Sequence, residues 1–312
     1  MTDVVIGIDI GGTITKIGIV EKNGNCISKE SFRTKGAENF DDFIKMISDT
    51  VNNLLSKEIN FFSIGIGAPN ANIRKGTIET PANLNWNGKL EIVKKLKKYF
   101  KVPIILSNDA NCAAMGEMLY GNAKKFKDFI LITLGTGLGS GIVSNGKLIQ
   151  GFDGFAGELG HISIFEDGRF TGLGVKGGLE AYVSAVGLKR TIMYMLSKYT
   201  DDSVFRKISF NELHGEDITR AAENNDPIAK YAYKYTGKIL GKSLANFVSF
   251  SQPEAIILTG GLANSGKWIL EPTKKYFQKN ILPFYRNKVK IIESGLEEKD
   301  AAILGAAAIA WK

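Results

Sequence analysis

The chain has 312 residues, of which 44% are hydrophobic and 23% charged, a composition typical of a globular protein that folds in water. This length is enough for two domains of ordinary size, and the lack of any apolar run of about 18 residues argues against a membrane-spanning helix. No basic segment followed by an apolar one precedes the first predicted strand, which argues against a secretory signal. Cys26 and Cys112 are too few for a disulfide framework, and we expect a cytoplasmic protein without a membrane partner.

A net charge of +8 raises the question of a polyanionic partner such as a nucleic acid. Leu90, Val93, Leu96 and Phe100 recur at helical spacing, so the lysines between them are predicted to lie on the solvent face of a helix over 88–100. This pattern favours a charged surface over a nucleic-acid site. A polyphosphate in place of a nucleotide as phosphate donor stays open as an alternative.

The predicted elements of the first half begin with three strands and continue as alternating helices and strands. Alternating apolar residues and turn signals indicate strands over residues 4–9, 16–20 and 26–32. Helical spacing and short apolar runs then indicate a helix over 39–57, a strand over 62–67, a helix over 88–100, a strand over 102–106 and a helix from 109 to about 119.

The second half repeats this order. Strands are predicted over 129–134, 140–143 and 147–150, followed by a glycine-rich loop over 151–178. Helices over 179–197, 209–213, 215–224 and 226–250, a strand over 255–258, a helix over 266–278, a strand over 288–293 and a helix over 301–311 complete the chain. The repetition predicts an α/β fold of two similar domains with a cleft between them.

Each half contains a glycine-rich hairpin that suits a phosphate group, because glycine lets backbone amides approach an anion without an intervening Cβ. The first follows a strand and reads Asp9-Ile10-Gly11-Gly12-Thr13, with Lys16 close behind it. Asp9 is a candidate for holding Mg²⁺ through water. An ordinary tight turn stabilised by an aspartate is the alternative interpretation.

The second hairpin contains Gly135, Thr136 and Gly137 and runs directly into a strand. A Rossmann loop would lead into a helix, and a Walker A loop would end in Gly-Lys-Ser/Thr, so this context argues against both. Gly260 and Gly261 end a later strand before a helix, a position that suits the ribose or α-phosphate of a nucleotide.

Asp109 is the best candidate for a catalytic group. It follows a strand at the end where α/β proteins gather their sites, and a carboxylate facing a phosphate clamp can accept the proton of an attacking hydroxyl. Asn108 and Asp109 are also favoured helix caps, so a capping role is the alternative, and both roles are compatible.

Hydrogen-bonding side chains that suit a polyol occur around these motifs. Each sugar hydroxyl both donates and accepts, which matches carboxylates, amides and imidazoles. The candidates are Asn83, Asn108, Glu158, His161 and Glu180. Glu158 and His161 could form a metal pair, but the lack of nearby cysteines argues against zinc.

In combination and in this order, the motifs resemble the ROK family (repressor, ORF, kinase) of the hexokinase–actin–Hsp70 superfamily over the full chain. The matching segments are Asp9-Ile-Gly-Gly-Thr13, Gly65-Ile-Gly-Ala-Pro69, Pro81-Ala-Asn-Leu-Asn-Trp86, Asn108-Asp109-Ala-Asn111, Leu134-Gly-Thr-Gly-Leu-Gly139, Gly157-Glu-Leu-Gly-His161, Leu179-Glu180-Ala181 and Thr259-Gly260-Gly261. The resemblance implies two RNase H-like (actin-like ATPase) domains around a central cleft. We expect a small domain of residues 1–107 plus 296–312, a large domain of 108–295, and a homodimer or homotetramer.

The resemblance also implies an ATP-dependent sugar kinase, most simply a glucokinase, with Asp109 as the base for the sugar 6-hydroxyl. Asn83, Asn108, Asp109, Glu158, His161 and Glu180 would bind the sugar. ATP and Mg²⁺ would be held by Asp9, Gly11, Gly12, Thr13, Lys16, Gly135, Thr136, Gly137, Gly260 and Gly261. An N-acetylmannosamine or N-acetylglucosamine kinase and a non-catalytic sugar sensor are the alternatives. Repressors of the family carry an extra N-terminal helix-turn-helix, for which a motif at residue 9 leaves no room, so a kinase is favoured.

Two positions depart from the family pattern. The three cysteines of the family's zinc motif are replaced by Thr171, Leu173 and Gly178, so we expect no structural zinc. The zinc would ordinarily fix the loop that aims His161, and we expect packing by Leu173 and Val175 in its place. The second departure is Asn70, where the family often has glycine.

Overall fold

The fold contains two five-stranded sheets. The structure is a computed structural model that describes residues 3–55, 60–80 and 84–311. The strands are β1 (Val4–Ile10), β2 (Ile14–Glu21), β3 (Cys26–Arg33), β4 (Phe61–Ala68), β5 (Ala71–Asn72), β6 (Thr77–Glu79), β7 (Lys89–Leu90), β8 (Ile104–Asn108), β9 (Phe129–Leu134), β10 (Leu138–Ser144), β11 (Lys147–Leu148), β12 (Ala255–Thr259) and β13 (Lys290–Glu293). The helices are α1 (Phe40–Leu54), α2 (Ile92–Leu96), α3 (Asp109–Leu119), α4 (Ala185–Lys198), α5 (Gly215–Glu223), α6 (Pro227–Ser251), α7 (Lys267–Asn280) and α8 (Glu298–Ala308).

The first sheet has the strand order β3-β2-β1-β4-β8. Strands β3, β2 and β1 are antiparallel, whereas β1, β4 and β8 are parallel and end at the same edge. Asp9 pairs with Gly67 across β1 and β4, and Ala68 pairs with Asn108 across β4 and β8. The register therefore brings Asp9 and the start of α3 to one edge of this sheet.

The second sheet repeats the plan with the order β11-β10-β9-β12-β13. Strands β9, β12 and β13 are parallel, with Thr133 paired to Thr259 near the end of β9. The α/β fold with a duplicated sheet is thus confirmed. A small third sheet, β5-β6-β7, is antiparallel.

Helix α8 packs closely on the first sheet because the facing strand positions are glycines. A Cβ placed on Gly65 would lie 1.8 Å from the Ala306 carbonyl oxygen, and one placed on Gly7 would lie 2.4 Å from that of Ile303. Helix α3 approaches α8 in the same way, since a Cβ on Gly116 would lie 2.9 Å from the Cα of Gly305. The C-terminal helix is therefore built into the unit that carries Asp9 and Asp109.

The chain separates into two compact units. The first comprises Met1–Lys127, Gly141–Gly157 and Ser294–Lys312, and the second comprises Asp128–Ser140 and Glu158–Glu293. The domain boundaries stated above remain a prediction. Within the described ranges, no helix combines the length and apolar character needed to cross a bilayer.

Three predicted helices differ from the structure. The helix predicted over 179–197 is divided, since Leu179–Ala181 forms a 3-10 turn and α4 begins at Ala185. Over 88–100, Lys89 and Leu90 form a strand paired with β6, and only Ile92–Leu96 is α-helical, although Leu90, Leu96 and Phe100 are buried as the spacing predicted. The helix predicted over 209–213 is wrong. Those residues lie in a turn, where the Glu212 carboxylate accepts bonds from the Ser209 amide and hydroxyl at 3.2 and 2.6 Å. Such local side-chain bonds compete with a helix.

Candidate functional site

Asp9 lies near the carboxyl end of β1, with its side chain half-buried. Burial is the largest effect on it, and together with the negative charge of Asp109 it raises the pKa of Asp9 to about 6. Lys16, the residue opposite Asp9 on β2, acts in the other direction. A cation bound beside Asp9 and Asp109 would favour their ionised forms, because a nearby opposite charge stabilises a carboxylate.

The Gly11–Thr13 turn is held by its own backbone and by Thr34, which directly follows β3. The amide of Gly11 donates to the Ile14 carbonyl at 3.1 Å, and the Thr34 hydroxyl donates to the Gly11 carbonyl at 2.7 Å. Gly12 is half-buried and Thr13 is exposed, so both can be reached by a ligand. Thr34 was not predicted from the sequence, and its hydroxyl holds the turn through the Gly11 carbonyl.

Asn108 and Asp109 divide the capping and carboxylate roles between them. The Asn108 side chain is the N-cap of α3 and accepts from the Ala110 amide at 2.9 Å. Asp109 is the first residue of the helix, and its Oδ1 accepts from the same amide at 2.8 Å. Asp109 remains accessible to solvent, yet desolvation raises the pKa of its carboxyl. A base with a raised pKa accepts a proton more readily near neutral pH.

The second glycine hairpin, in the second unit, connects β9 to β10. The Gly135 amide donates to the Gly137 carbonyl at 3.0 Å, and the Gly135 carbonyl accepts from Ala185 at 2.8 Å. Thr136 is exposed at the tip. A Cβ on Gly137 would lie 2.4 Å from Oε2 of Glu180, whereas a Cβ on Gly135 would have no neighbour within 4 Å.

Gly260 and Gly261 follow β12 in the same unit. Gly260 adopts φ +93°, and a Cβ there would lie 2.7 Å from the Leu134 carbonyl oxygen. The Leu262 amide donates to that carbonyl at 3.0 Å, which ties this turn to the base of the 135–137 hairpin. The structure therefore brings the two glycine motifs of the second unit together.

Glu158, His161 and Glu180 are the candidate sugar-binding side chains of the second unit. Nε2 of His161 lies 4.0 Å from Oε2 of Glu158. The Glu180 carboxylate accepts from the Leu138 amide at 3.0 Å and from the Gly172 amide at 2.9 Å. Asn108 and Asp109 belong to the first unit, and Asn83 lies outside the described residues.

The loop that replaces the zinc motif is held by hydrogen bonds. Thr171 is buried, and its Oγ1 lies 3.1 Å from Nδ1 of His161. The prediction that Leu173 packs in place of the metal is wrong, since Leu173 is 58% exposed. In the part of the chain that the structure describes, no three His, Cys, Asp or Glu side chains are grouped to hold a metal ion. Thr171 was predicted only as the replacement of a zinc ligand, although a hydroxyl can form a hydrogen bond with an imidazole.

The model of the ROK family matches residues 5–312. A glucokinase of Halalkalibacterium halodurans is 32% identical over 287 residues, covering 89% of this chain and 86% of that protein. A xylose repressor of Caldicellulosiruptor bescii is 27% identical and is matched over 98% of this chain and 77% of its own length.

A solved structure shows the same fold. It is a ROK family glucokinase of Streptomyces griseus in complex with glucose and AMPPNP, 30% identical to this chain. The two align with a TM-score of 0.81 over 98% of this chain and 99% of the other. The chain belongs to the ROK family.

Proposed function

We propose that this protein is an ATP-dependent hexose kinase that phosphorylates the 6-hydroxyl of glucose, with Asp109 as the general base. The observation that carries the proposal is the placement of Asp9 and Asp109 at one edge of the first sheet, close enough for the charge of Asp109 to raise the pKa of Asp9. Glucose and AMPPNP in the Streptomyces griseus relative support a sugar and ATP as the two substrates.

The first unit carries both the proposed base, Asp109, and the acidic edge at Asp9. The sugar O6 attacks the γ-phosphorus of ATP, the bond from that phosphorus to the β–γ bridging oxygen breaks, and ADP leaves. The proton of the 6-hydroxyl goes to the Asp109 carboxylate, whose raised pKa suits this acceptance. The Asn108 cap and the Ala110 amide hold the start of α3, so that the carboxylate is oriented before the sugar binds.

The second unit carries, by itself, candidate sugar ligands and candidate phosphate-binding groups. Glu158, His161 and Glu180 would bind the ring hydroxyls, which need both donors and acceptors. The exposed Thr136 and the open approach at Gly135 suit terminal phosphates. Gly260 and Gly261 would contact the adenosine side.

Mg²⁺ fits the acidic edge of the first unit, because Asp9 is half-buried beside a second carboxylate. Asp9 would hold it through water, and the ion when bound neutralises charge on the ATP phosphates. A homodimeric or homotetrameric assembly and a cytoplasmic location belong to the same proposal and are tested by light scattering and by fractionation of cells.

A substrate panel tests this function. ADP release is measured with glucose, mannose, N-acetylmannosamine, N-acetylglucosamine and xylose, each with ATP or with polyphosphate as donor. We expect the highest kcat/KM for glucose with ATP. A higher kcat/KM for an N-acetylated hexosamine would show that this sugar, and not glucose, is the substrate. Turnover with polyphosphate alone would show that polyphosphate, and not ATP, is the donor. If the protein binds a sugar of the panel but phosphorylates none of them, the kinase proposal is overturned and a sugar sensor is favoured.

A further inference from the structure

The hairpin over residues 170–176 holds Thr171 in one place. Its amide donates to the Val175 carbonyl at 2.9 Å, and its carbonyl accepts from the Gly174 amide at 3.0 Å. Phe170 and Lys176 form a β-bridge at the base of the hairpin, and Gly174 takes φ +82° at its tip. The backbone of Thr171 is therefore fixed independently of its side chain.

The Thr171 hydroxyl has two polar neighbours. It accepts from the Val175 amide at 3.1 Å, and it lies 3.1 Å from Nδ1 of His161. A hydroxyl offers one donor and two acceptor positions, and Val175 uses one acceptor position. Thr171 is 6% exposed, so a hydroxyl proton that did not point to Nδ1 would be buried without a bond.

We propose that Thr171 is a positioning residue whose hydroxyl donates to Nδ1 of His161 and holds the imidazole in the tautomer that carries its proton on Nε2. In a neutral imidazole one nitrogen accepts and the other donates, so the bond at Nδ1 decides what Nε2 presents. The inference rests on the proposed function only in naming a sugar hydroxyl as the acceptor of the Nε2 proton.

The surroundings of Nε2 agree with this assignment. Oε2 of Glu158 lies 4.0 Å away, so that one sugar hydroxyl can accept from Nε2 and donate to the carboxylate. With the other tautomer, Nε2 and the carboxylate would both be acceptors facing a hydroxyl that has a single proton. The Thr171 bond thus makes Nε2 of His161 the donor of this pair, with the Glu158 carboxylate as the acceptor.

The space around Thr171 is matched to its side chain. A Cβ on Gly178 would lie 2.4 Å from Cγ2 of Thr171 and 3.5 Å from Cα of His161. Residues 171 and 178, two of the positions where the family carries cysteines, therefore meet beside His161, and the threonine methyl fills the room that a side chain at 178 would need. Thr171 and Gly178 act as a pair that keeps the hydroxyl on the imidazole.

Nitrogen NMR of the free protein tests the tautomer without any assay of activity. The sequence contains two histidines, His161 and His214, so ¹⁵N-histidine labelling gives the signals of two imidazoles. In a His214→Asn variant, changed at an exposed position, the remaining imidazole signals belong to His161. In buffer at about pH 8.5, where an ordinary imidazole is neutral, we expect His161 to be protonated on Nε2. We expect Thr171→Val to produce a mixture of tautomers and Thr171→Ser to keep the wild-type pattern.

Kinetics then test the consequence for the sugar. Thr171→Val is expected to raise the sugar KM about 10-fold with little change in the KM for ATP. Thr171→Ser is expected to keep the sugar KM near that of the wild type. Leu173→Ala, on the exposed turn of the same hairpin, is the matched control. Protonation of His161 on Nδ1 in the wild type, or an unchanged pattern in Thr171→Val, overturns the proposal. If the NMR result holds but no sugar is phosphorylated, the proposed function fails and the positioning role stands.

Discussion

Glu180 joins two segments of the second unit through a single carboxylate: Oε2 accepts from the Leu138 amide at 3.0 Å, and Oε1 accepts from the Gly172 amide at 2.9 Å. Leu138 directly follows the glycine hairpin that we propose for phosphate, and Gly172 lies in the loop whose Thr171 contacts His161. We therefore expect a change at Glu180 to affect both proposed substrates.

Changing Glu180 to Gln removes one of these acceptors, because the amide nitrogen can only donate. We expect kcat/KM to fall about 10- to 100-fold for glucose and for ATP alike, as for the loss of a hydrogen bond to a charged group. The affinity for an ATP analogue, measured by calorimetry without sugar, is expected to fall as well. A variant with weakened sugar binding and unchanged analogue affinity would show that Glu180 acts on the sugar alone.

Gly137 and Gly135 form a matched pair within the hairpin. A Cβ on Gly137 would lie 2.4 Å from the Glu180 carboxylate, whereas for one on Gly135 no described residue other than its chain neighbours lies within 4 Å. We expect Gly137→Ala to lower the free energy of unfolding by about 1–3 kcal/mol and Gly135→Ala to leave it nearly unchanged, as measured by urea denaturation. A higher KM for ATP in Gly135→Ala at normal stability would support close approach of a phosphate there. Equal stability of both variants would contradict the packing at Gly137.

Asp109→Asn separates catalysis from capping, because asparagine keeps an oxygen for the Ala110 amide but cannot take the sugar proton. We expect kcat to fall at least about 100-fold, with the glucose dissociation constant changed only a few-fold. Calorimetric glucose titration and a coupled ADP assay measure the two. Asn108→Ala, which removes the N-cap, is the comparison and is expected to lose about 1 kcal/mol of stability. Near-normal turnover of Asp109→Asn would exclude Asp109 as the base.

Asp9 makes the stability of the ligand-free protein depend on pH. Its pKa is raised from 3.8 to about 6 in the folded chain, so between these values the folded state binds more protons than the unfolded one. Its contribution to the free energy of unfolding therefore falls as pH rises through this window and is lowest above pH 6.

Asp9→Asn should remove this penalty. We expect the variant to gain about 1–3 kcal/mol over the wild type on going from about pH 4.5 to about pH 7.5, while its ATP turnover collapses. Urea denaturation at both pH values measures the gain, and Asp49→Asn on the exposed face of α1 is the control. A constant difference between Asp9→Asn and wild type at both pH values would contradict the raised pKa.

Local patterns in the chain were enough to predict the repeated order of strands and helices, both glycine hairpins and the position of Asp109 at the start of a helix. These features depend on neighbouring residues, through the periodicity of apolar side chains, the backbone freedom of glycine and helix capping. The order of the motifs was enough to indicate the family.

The tertiary structure decided what distant residues do to one another. Leu90 joined a strand, because its pairing with Ile78 outweighed its helical spacing. Parallel pairing of β1, β4 and β8 brought Asp9 within reach of the charge of Asp109, and burial raised its pKa. Folding of the 170–176 hairpin put the Thr171 hydroxyl on His161 where a metal motif had been lost. Burial, charge interactions and hydrogen bonds across a loop depend on three-dimensional distance, which no local pattern in the sequence contains.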